Sequence, residues 1–205
     1  RNMRKFLIVI VVALLAINVY TLIQFHEIKN RNLTSARLES SELHAYKSNF
    51  MTVIKHSNLV LKDYSIIDSL SRVRSLREIL KVRQRPLLVF RFAEQHCESC
   101  VNSAIQIFKK DIESIGAQNI LFLGSYRNNK LFNRVKPLYG IDSLKVYNVP
   151  ELDIPAERSG YPYFFVMQSN LMISDTFIPD KGVVSITNSY LKIIYEKYFL
   201  KGTGL

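Results

Sequence analysis

The two cysteines of this chain lie three residues apart, where an apolar segment is followed by an amphipathic one. Residues 87–92 read Leu-Leu-Val-Phe-Arg-Phe, a short apolar and aromatic run that is typical of a buried strand. After Cys100, apolar residues recur at helical spacing and indicate a helix: Val101, Ala104, Ile105 and Phe108. A strand that leads into a helix through a Cys-x-x-Cys motif constrains the fold more than any other feature of the sequence.

This placement favours redox chemistry for the cysteine pair. Residues three positions apart share one face of a helical turn, so Cys97 and Cys100 can close a disulfide. Unpaired N–H groups and the positive end of the helix dipole stabilise a thiolate on Cys97, which is expected to be the nucleophile. Cys100, one turn further in, is expected to resolve the mixed disulfide. A purely structural disulfide here would stabilise the fold little, because the loop that it closes is short.

The N-terminal segment is predicted to cross a membrane. Residues 6–25 contain no charged residue, and a helix of that length rises roughly 30 Å, enough to span the hydrocarbon core. The preceding Arg1, Arg4 and Lys5 predict a cytoplasmic N-terminus and an extracytoplasmic, periplasmic location for the rest. A cleaved signal peptide is the alternative, but the run is long for one and does not end in a small-x-small site. We therefore expect residues 1–25 to form a single-pass anchor in the inner membrane.

The rest of the chain divides into a linker and a domain. Residues 26–58 are polar and lack proline and glycine, which predicts a juxtamembrane helical linker. Residues 59–205 are expected to form one globular domain, since their length is ordinary for a domain. The net charge is +11, but the basic residues are dispersed and no nucleic-acid-binding motif occurs. A basic surface near anionic lipid headgroups explains this charge better than nucleic-acid binding does.

The order of the predicted elements indicates an α/β fold with a mixed sheet. The strand at 87–92 and its helix are followed by a second buried strand at 119–126, and later by a hairpin of strands at 160–167 and 171–178. This order implies a sheet covered by helices on both sides. The remaining predicted elements are two short strands at 59–61 and 64–67, a helix that begins at a Ser75-x-x-Glu78 capping box, a helix at 127–135 that ends before Pro137, a short strand at 145–149 and a final helix at 183–200.

The chain resembles the thioredoxin superfamily, in particular its membrane-anchored, extracytoplasmic TlpA-like thiol–disulfide oxidoreductases. The resemblance covers about residues 59–200 and rests on the Cys-x-x-Cys motif and on Tyr161-Pro162 at the start of the hairpin. It implies a thioredoxin-like fold and thiol–disulfide exchange on exported cysteine-containing proteins, with a membrane or extracytoplasmic electron donor or acceptor and without a bound cofactor or metal. It also implies that the Tyr161–Pro162 peptide bond is cis, and that both residues present the backbone that binds a client protein.

Three residues near the cysteines are expected to modulate them. His96 would favour the thiolate as a cation, or take its proton as a neutral imidazole, and a solvated histidine without a role is an equal alternative. Arg91 stands where thioredoxins carry a buried acid that relays a proton, so that role is not transferred to this chain. We expect Arg91 either to pair with a nearby acid such as Glu94 or to point outward. Glu94 is the only nearby substitute for the missing acid.

Two other functions stay open from the sequence. Cys97, Cys100 and His96 together could hold copper or zinc for delivery. Copper-delivery proteins of this fold, however, resemble Cys-x-x-x-Cys with a remote histidine, whereas the three other histidines of this chain all precede residue 59. In the second alternative the domain is a non-catalytic interaction module whose dithiol senses the redox state.

Overall fold

The structure is a computed structural model that describes residues 2–81 and 85–200, including their side chains except those of residues 2–13 and 16. The chain divides into two compact units, residues 1–43 and residues 44–205. Helix α1 (Asn2–His56) forms the first unit up to Leu43, and its residues 44–56 belong to the second unit. In the part of the chain that is described, none of the helices combines the length and the apolar character that a membrane crossing requires. The predicted anchor, residues 6–25, lies partly outside the described side chains.

The second unit is built on a mixed sheet of seven strands in its described residues. The strands are β1 (Ser65–Ile67), β2 (Val73–Ser75), β3 (Leu87–Ala93), β4 (Ile120–Ser125), β5 (Val146–Asn148), β6 (Tyr163–Met167) and β7 (Ile173–Phe177), in the spatial order β2-β1-β5-β4-β3-β6-β7. Strands β3, β4 and β5 are parallel, whereas β6 pairs antiparallel with both β3 and β7. The predicted second strand and the predicted hairpin are confirmed.

Helices cover both faces of the sheet, as the sequence predicts. One face packs against α3 (Glu98–Lys109), α5 (Asn129–Tyr139) and α6 (Val184–Ile194), and the other packs against α2 (Leu76–Lys81). The short elements are α4 (Ile112–Ile115), two 3₁₀ turns at Ala117–Asn119 and Pro155–Ser159, and a π turn at Tyr195–Phe199. The α/β fold with a sheet between helices is confirmed.

Strand β3 forms the centre of this sheet, and all seven of its residues are buried. Its side chains alternate between the faces, so Leu88 and Phe90 pack with α3 while Leu87 and Val89 join the opposite core. A strand buried on both faces reads as a continuous apolar run, which explains why the sequence identified it. The cysteines follow shortly after the carboxyl end of this strand.

Two local predictions are wrong in their details. The sequence predicts that the strands at 59–61 and 64–67 pair as a hairpin, but β1 pairs with β2 at Val73–Ser75. Residue Val60 forms an isolated bridge to Met172. Helix α5 continues through Pro137 to Tyr139, where Gly140 ends it with a φ of 61°. A proline removes one backbone hydrogen bond, and this helix continues only two residues beyond it before the glycine terminates it.

The predicted capping box is confirmed. The Ser75 hydroxyl accepts a hydrogen bond from the Glu78 N–H at 3.2 Å, and a Glu78 carboxylate oxygen accepts one from the Ser75 N–H at 3.3 Å. These reciprocal bonds satisfy two N–H groups that the first turn of a helix leaves unpaired. They fix the start of α2 immediately after β2.

Candidate dithiol site

Cys97 and Cys100 form a disulfide at the start of α3, shortly after the end of β3, and their Cα atoms lie 5.2 Å apart. Cys97 is the N-cap of α3, and its sulfur accepts a hydrogen bond from the Cys100 N–H at 3.3 Å. Its carbonyl oxygen accepts bonds from the N–H groups of Cys100 and Val101, both at 3.0 Å. The sulfur of Cys97 therefore lies where unpaired helix N–H groups stabilise negative charge.

The two sulfur-bearing residues differ in exposure. Cys97 is half-buried, whereas Cys100 is buried at 8% exposure. A reagent or a client disulfide can thus approach Cys97 more easily than Cys100. This is the arrangement that an attacking and a resolving cysteine require, and the assignment of these two roles stays a prediction.

Two side chains that the sequence reasoning missed contact this site. The hydroxyl oxygen of Ser99 lies 3.2 Å from the Cys97 sulfur, and the ammonium of Lys181 donates a hydrogen bond to the same hydroxyl oxygen at 3.1 Å. Ser99 lies between the cysteines, so its proximity could have been inferred from the motif. Lys181 follows β7, and no local signal in the sequence connects it to the motif.

His96 is buried and uncharged at neutral pH. Its Nδ1 accepts a hydrogen bond from the Ala93 N–H at 3.1 Å, which places the ring proton on Nε2. Burial lowers the pKa of His96 from 6.5 to about 4, and the nearby Arg91 charge contributes in the same direction. The expectations of a cationic or a solvated His96 are therefore wrong. A neutral ring whose Nδ1 already accepts a bond can take up a proton only by giving up its contact with Ala93.

Arg91 forms a buried ion pair with Glu157. A Glu157 carboxylate oxygen lies 2.7 Å from both Nε and Nη2 of Arg91, and both side chains are essentially inaccessible to solvent. The same oxygen accepts the Leu152 N–H at 2.9 Å, while Arg91 Nη2 also donates to the Pro150 carbonyl at 3.1 Å. Glu157 belongs to the Pro155–Ser159 turn, which is distant in sequence from β3.

The expectation that Arg91 pairs with an acid is confirmed, but the acid is Glu157 and not Glu94, and the alternative that Arg91 points outward is wrong. It cannot point outward, because β3 is buried on both faces. Glu94 lies beyond the end of β3 at the surface, where it pairs with Arg127 at 3.3 Å and accepts the Arg127 N–H at 3.2 Å. Glu94 and Arg91 are not brought together.

The Tyr161–Pro162 peptide bond is trans, since the described residues contain no cis peptide bond. The predicted cis bond is therefore wrong. The chain instead reverses at Gly160, whose φ of 71° lies in the left-handed region that glycine adopts readily. The Ser159 hydroxyl accepts the Tyr161 N–H at 3.2 Å and donates to the Tyr161 carbonyl at 3.4 Å, which holds this turn together.

Tyr161 and Cys100 line the same cavity, which has a volume of about 420 Å³. Tyr161 is half exposed, whereas Pro162 is buried behind it. Ser48 of α1 and Lys181 contribute to the cavity wall. The structure thus brings Tyr161 to the dithiol, and the roles of Tyr161 and Pro162 in binding a client stay predictions.

The last turns of α1 form part of this wall, which the sequence did not indicate. Asn49 is bonded through its side-chain amide to both backbone groups of Ile178, at 2.7 and 3.1 Å. His56 is buried, accepts the Ala156 N–H on Nε2 at 2.8 Å and donates from Nδ1 to the Thr52 carbonyl at 2.6 Å. Burial lowers the pKa of His56, so the ring is neutral in this position. These bonds attach the end of α1 to the loops around the dithiol.

No group of three or more histidine, cysteine, aspartate or glutamate side chains that could hold a metal ion occurs among the residues that the structure describes. His96 contributes no free Nδ1 beside the cysteines, because that atom accepts the Ala93 N–H.

Parallel strands β3, β4 and β5 lie beside the antiparallel β6–β7 hairpin, and a Cys-x-x-Cys disulfide follows β3, which together make a thioredoxin-like arrangement. No protein-family model and no curated protein matches the sequence.

The chain is similar to several solved structures. One is the thioredoxin domain of a thiol-disulfide oxidoreductase from Bacteroides vulgatus, with 12% identity over 66% of this chain and 97% of that chain and a TM-score of 0.45. Another is a thiol:disulfide interchange protein from Bacteroides sp., with 11% identity over 66% and 90% and a TM-score of 0.43. A third is a peroxidoxin from Mycobacterium tuberculosis, with 11% identity over 68% and 97% and a TM-score of 0.46.

Proposed function

We propose that this protein is a membrane-anchored, extracytoplasmic thiol–disulfide oxidoreductase of the TlpA-like kind that acts on exported cysteine-containing proteins. The observation that carries the proposal is the position of the disulfide at the start of α3, with Cys97 accessible and Cys100 buried. A helix start favours the thiolate form of the residue that caps it. The pair is therefore suited to exchange rather than to static cross-linking.

The exchange moves two electrons between the dithiol and the client. In the reduced protein, the Cys97 thiolate attacks one sulfur of a client disulfide, a mixed disulfide forms, and the other client sulfur leaves as a thiolate. Cys100 then loses its proton and attacks the Cys97 sulfur, which closes the Cys97–Cys100 disulfide and releases the second client thiolate. The reverse sequence oxidises a client dithiol. A membrane or extracytoplasmic electron donor or acceptor returns the pair to its starting state.

The proposed location rests on the sequence of residues 6–25, which lack charge and follow Arg1, Arg4 and Lys5. A thiol reagent that cannot cross a membrane should label reduced Cys97 in intact cells or spheroplasts. Labelling that appears only after the inner membrane is lysed would reverse the proposed orientation.

The exchange itself is tested by replacing the resolving cysteine. In Cys100→Ser, mixed disulfides between Cys97 and client proteins should accumulate, because no second thiol remains to release them. Cys97→Ser is the matched control and should trap far less, since it lacks the accessible sulfur. The opposite result would be reduced protein that purifies with stoichiometric copper or zinc, loses the metal equally in either variant, and traps no clients. That result would contradict the proposal and support metal delivery.

A further inference from the structure

A chain of polar contacts connects Lys181 to the Cys97 sulfur through Ser99. The Lys181 ammonium lies 3.1 Å from the Ser99 hydroxyl oxygen, which in turn lies 3.2 Å from the Cys97 sulfur. The same sulfur also accepts a hydrogen bond from the Cys100 N–H at 3.3 Å. Lys181 comes from the loop after β7, so two segments distant in sequence meet at the Ser99 hydroxyl.

The chemistry of the three groups fixes the direction of the hydrogen bonds. An ammonium group has only donors, so the Ser99 oxygen accepts from Lys181. The Ser99 hydroxyl proton is then left to point at the sulfur, which accepts it. The sulfur of a disulfide is a weak acceptor, whereas a thiolate is a charged and strong one. The contact is therefore stronger in the reduced, ionised state than in the oxidised state.

The neighbouring charges do not all act in the same direction. Glu98 follows Cys97 directly and is exposed, and its negative charge disfavours a thiolate beside it. Asp180 precedes Lys181, but its carboxylate accepts the Gly182 N–H at 2.7 Å. Ser99 is the side chain that brings the Lys181 charge into hydrogen-bonded contact with Cys97 despite these acids.

We propose that Ser99 and Lys181 are positioning residues that hold negative charge on the Cys97 sulfur and so make Cys97 the attacking thiolate, an inference that rests on the proposed exchange function. Stabilising the thiolate stabilises the reduced protein relative to the disulfide. The contact chain Lys181–Ser99–Cys97, called the relay below, therefore makes the Cys97–Cys100 disulfide more oxidising than the position at the helix start alone would make it.

The test measures the ionisation of Cys97 in the full chain. In a Cys100→Ser background, Cys97 is the only thiol, so the pH dependence of its alkylation rate reports the fraction of thiolate. Ser99→Ala should raise the midpoint of this profile by about one pH unit, the size expected for one hydrogen bond to a charged group. Lys181→Met should raise it by about half a unit, because the exposed ammonium acts through the hydroxyl, and added salt should reduce the difference.

Matched variants separate the relay from general effects on the fold. Ser99→Thr and Lys181→Arg keep the donors and should stay near the unmodified midpoint. Ser103→Ala removes a hydroxyl one turn further along α3, and Lys192→Met removes an exposed charge from α6, so neither should shift the profile.

The outcome distinguishes this inference from the proposed function. Unchanged midpoints in both Ser99→Ala and Lys181→Met would overturn the relay, even if Cys100→Ser traps client proteins. Shifted midpoints with no trapped clients would leave the relay in place and refute the exchange function. A second measurement, the equilibrium with glutathione, should move towards the disulfide by about tenfold in Ser99→Ala.

Discussion

Replacing Glu157 by glutamine should destabilise the domain strongly, because it removes one charge of a fully buried ion pair. A single Glu157 oxygen accepts from Arg91 Nε, Arg91 Nη2 and the Leu152 N–H. In Glu157→Gln the Arg91 guanidinium stays buried and charged, and its acceptors, the glutamine amide oxygen and the Pro150 carbonyl, carry no negative charge to compensate it. Leaving one member of a buried pair uncompensated costs about 3–5 kcal/mol.

That loss is large compared with the total stability of a domain, which is about 5–15 kcal/mol. Urea unfolding of the oxidised protein measures it directly. With a slope of about 2 kcal/mol per molar urea, the midpoint should fall by about 1.5–2.5 M. The slope itself should stay unchanged if the denatured state is unaffected.

Two comparisons identify the cause. Glu94→Gln breaks the exposed pair with Arg127 and should cost no more than about 0.5 kcal/mol, since surface ion pairs contribute little. The double replacement Arg91→Met/Glu157→Leu removes both charges and should be markedly more stable than Glu157→Gln. If Glu157→Gln unfolds within about 1 kcal/mol of the unmodified protein, or the double variant is no more stable than the single one, the buried charge is not the cause.

The remaining predictions concern pH and packing. His96 is neutral in the folded protein with its pKa lowered from 6.5 to about 4, so the unfolded chain binds the extra proton first as the pH falls. Stability should be complete above pH 6.5 and should decrease by about 3 kcal/mol towards pH 4. His96→Asn should show a shallower pH dependence of the urea midpoint than His26→Asn, and equal slopes would contradict this account. Gly124→Ala should cost about 1–3 kcal/mol in urea unfolding, because its Cβ would lie 2.3 Å from a ring carbon of the buried Phe132. Gly182→Ala, at an exposed turn, is the control, and an equal loss there would refute the packing explanation.

The parts of the fold that local pattern determines were predictable. Strand β3 is an apolar run buried on both faces, the β6–β7 hairpin has turn residues between two such runs, and α2 begins at a capping box. The position of the dithiol followed from these, because a short motif between a strand and a helix leaves little freedom. Each of these signals lies within a single short stretch of consecutive residues, the longest being the hairpin from Tyr163 to Phe177.

The environment of the dithiol was less predictable, because it depends on residues distant in sequence. The sequence suggests the neighbouring Glu94 as a partner for Arg91, but the actual partner Glu157 lies in a turn that follows β5. Lys181 and Ser99 also contact each other although they are distant in sequence. The sequence contains the charges, but only the folded chain determines which pairs become buried together.

Helix α1 shows a second limit of pattern reasoning. The apolar residues Leu43, Tyr46 and Phe50 of the predicted linker are exposed. Within the second unit, the buried or half-buried face of this helix consists of Ala45, Asn49, Thr52 and His56. Polar residues occupy this face because each can satisfy its hydrogen bonds there, with Ile178, Ser48 and Ala156 as partners. Hydrophobic periodicity alone does not identify such a face.

The attachment of α1 determines where the chain can be shortened for redox measurements. A protein that started at residue 59 would leave the N–H groups of Ala156 and Ile178 without their acceptors on His56 and Asn49. It would also uncover the apolar surface beneath Ala45 and remove one wall of the cavity beside Cys100. Buried N–H groups that lose their partners destabilise a fold, and an uncovered apolar surface promotes aggregation. A truncated domain intended to report the native reactivity of the dithiol should therefore retain residues 44–58.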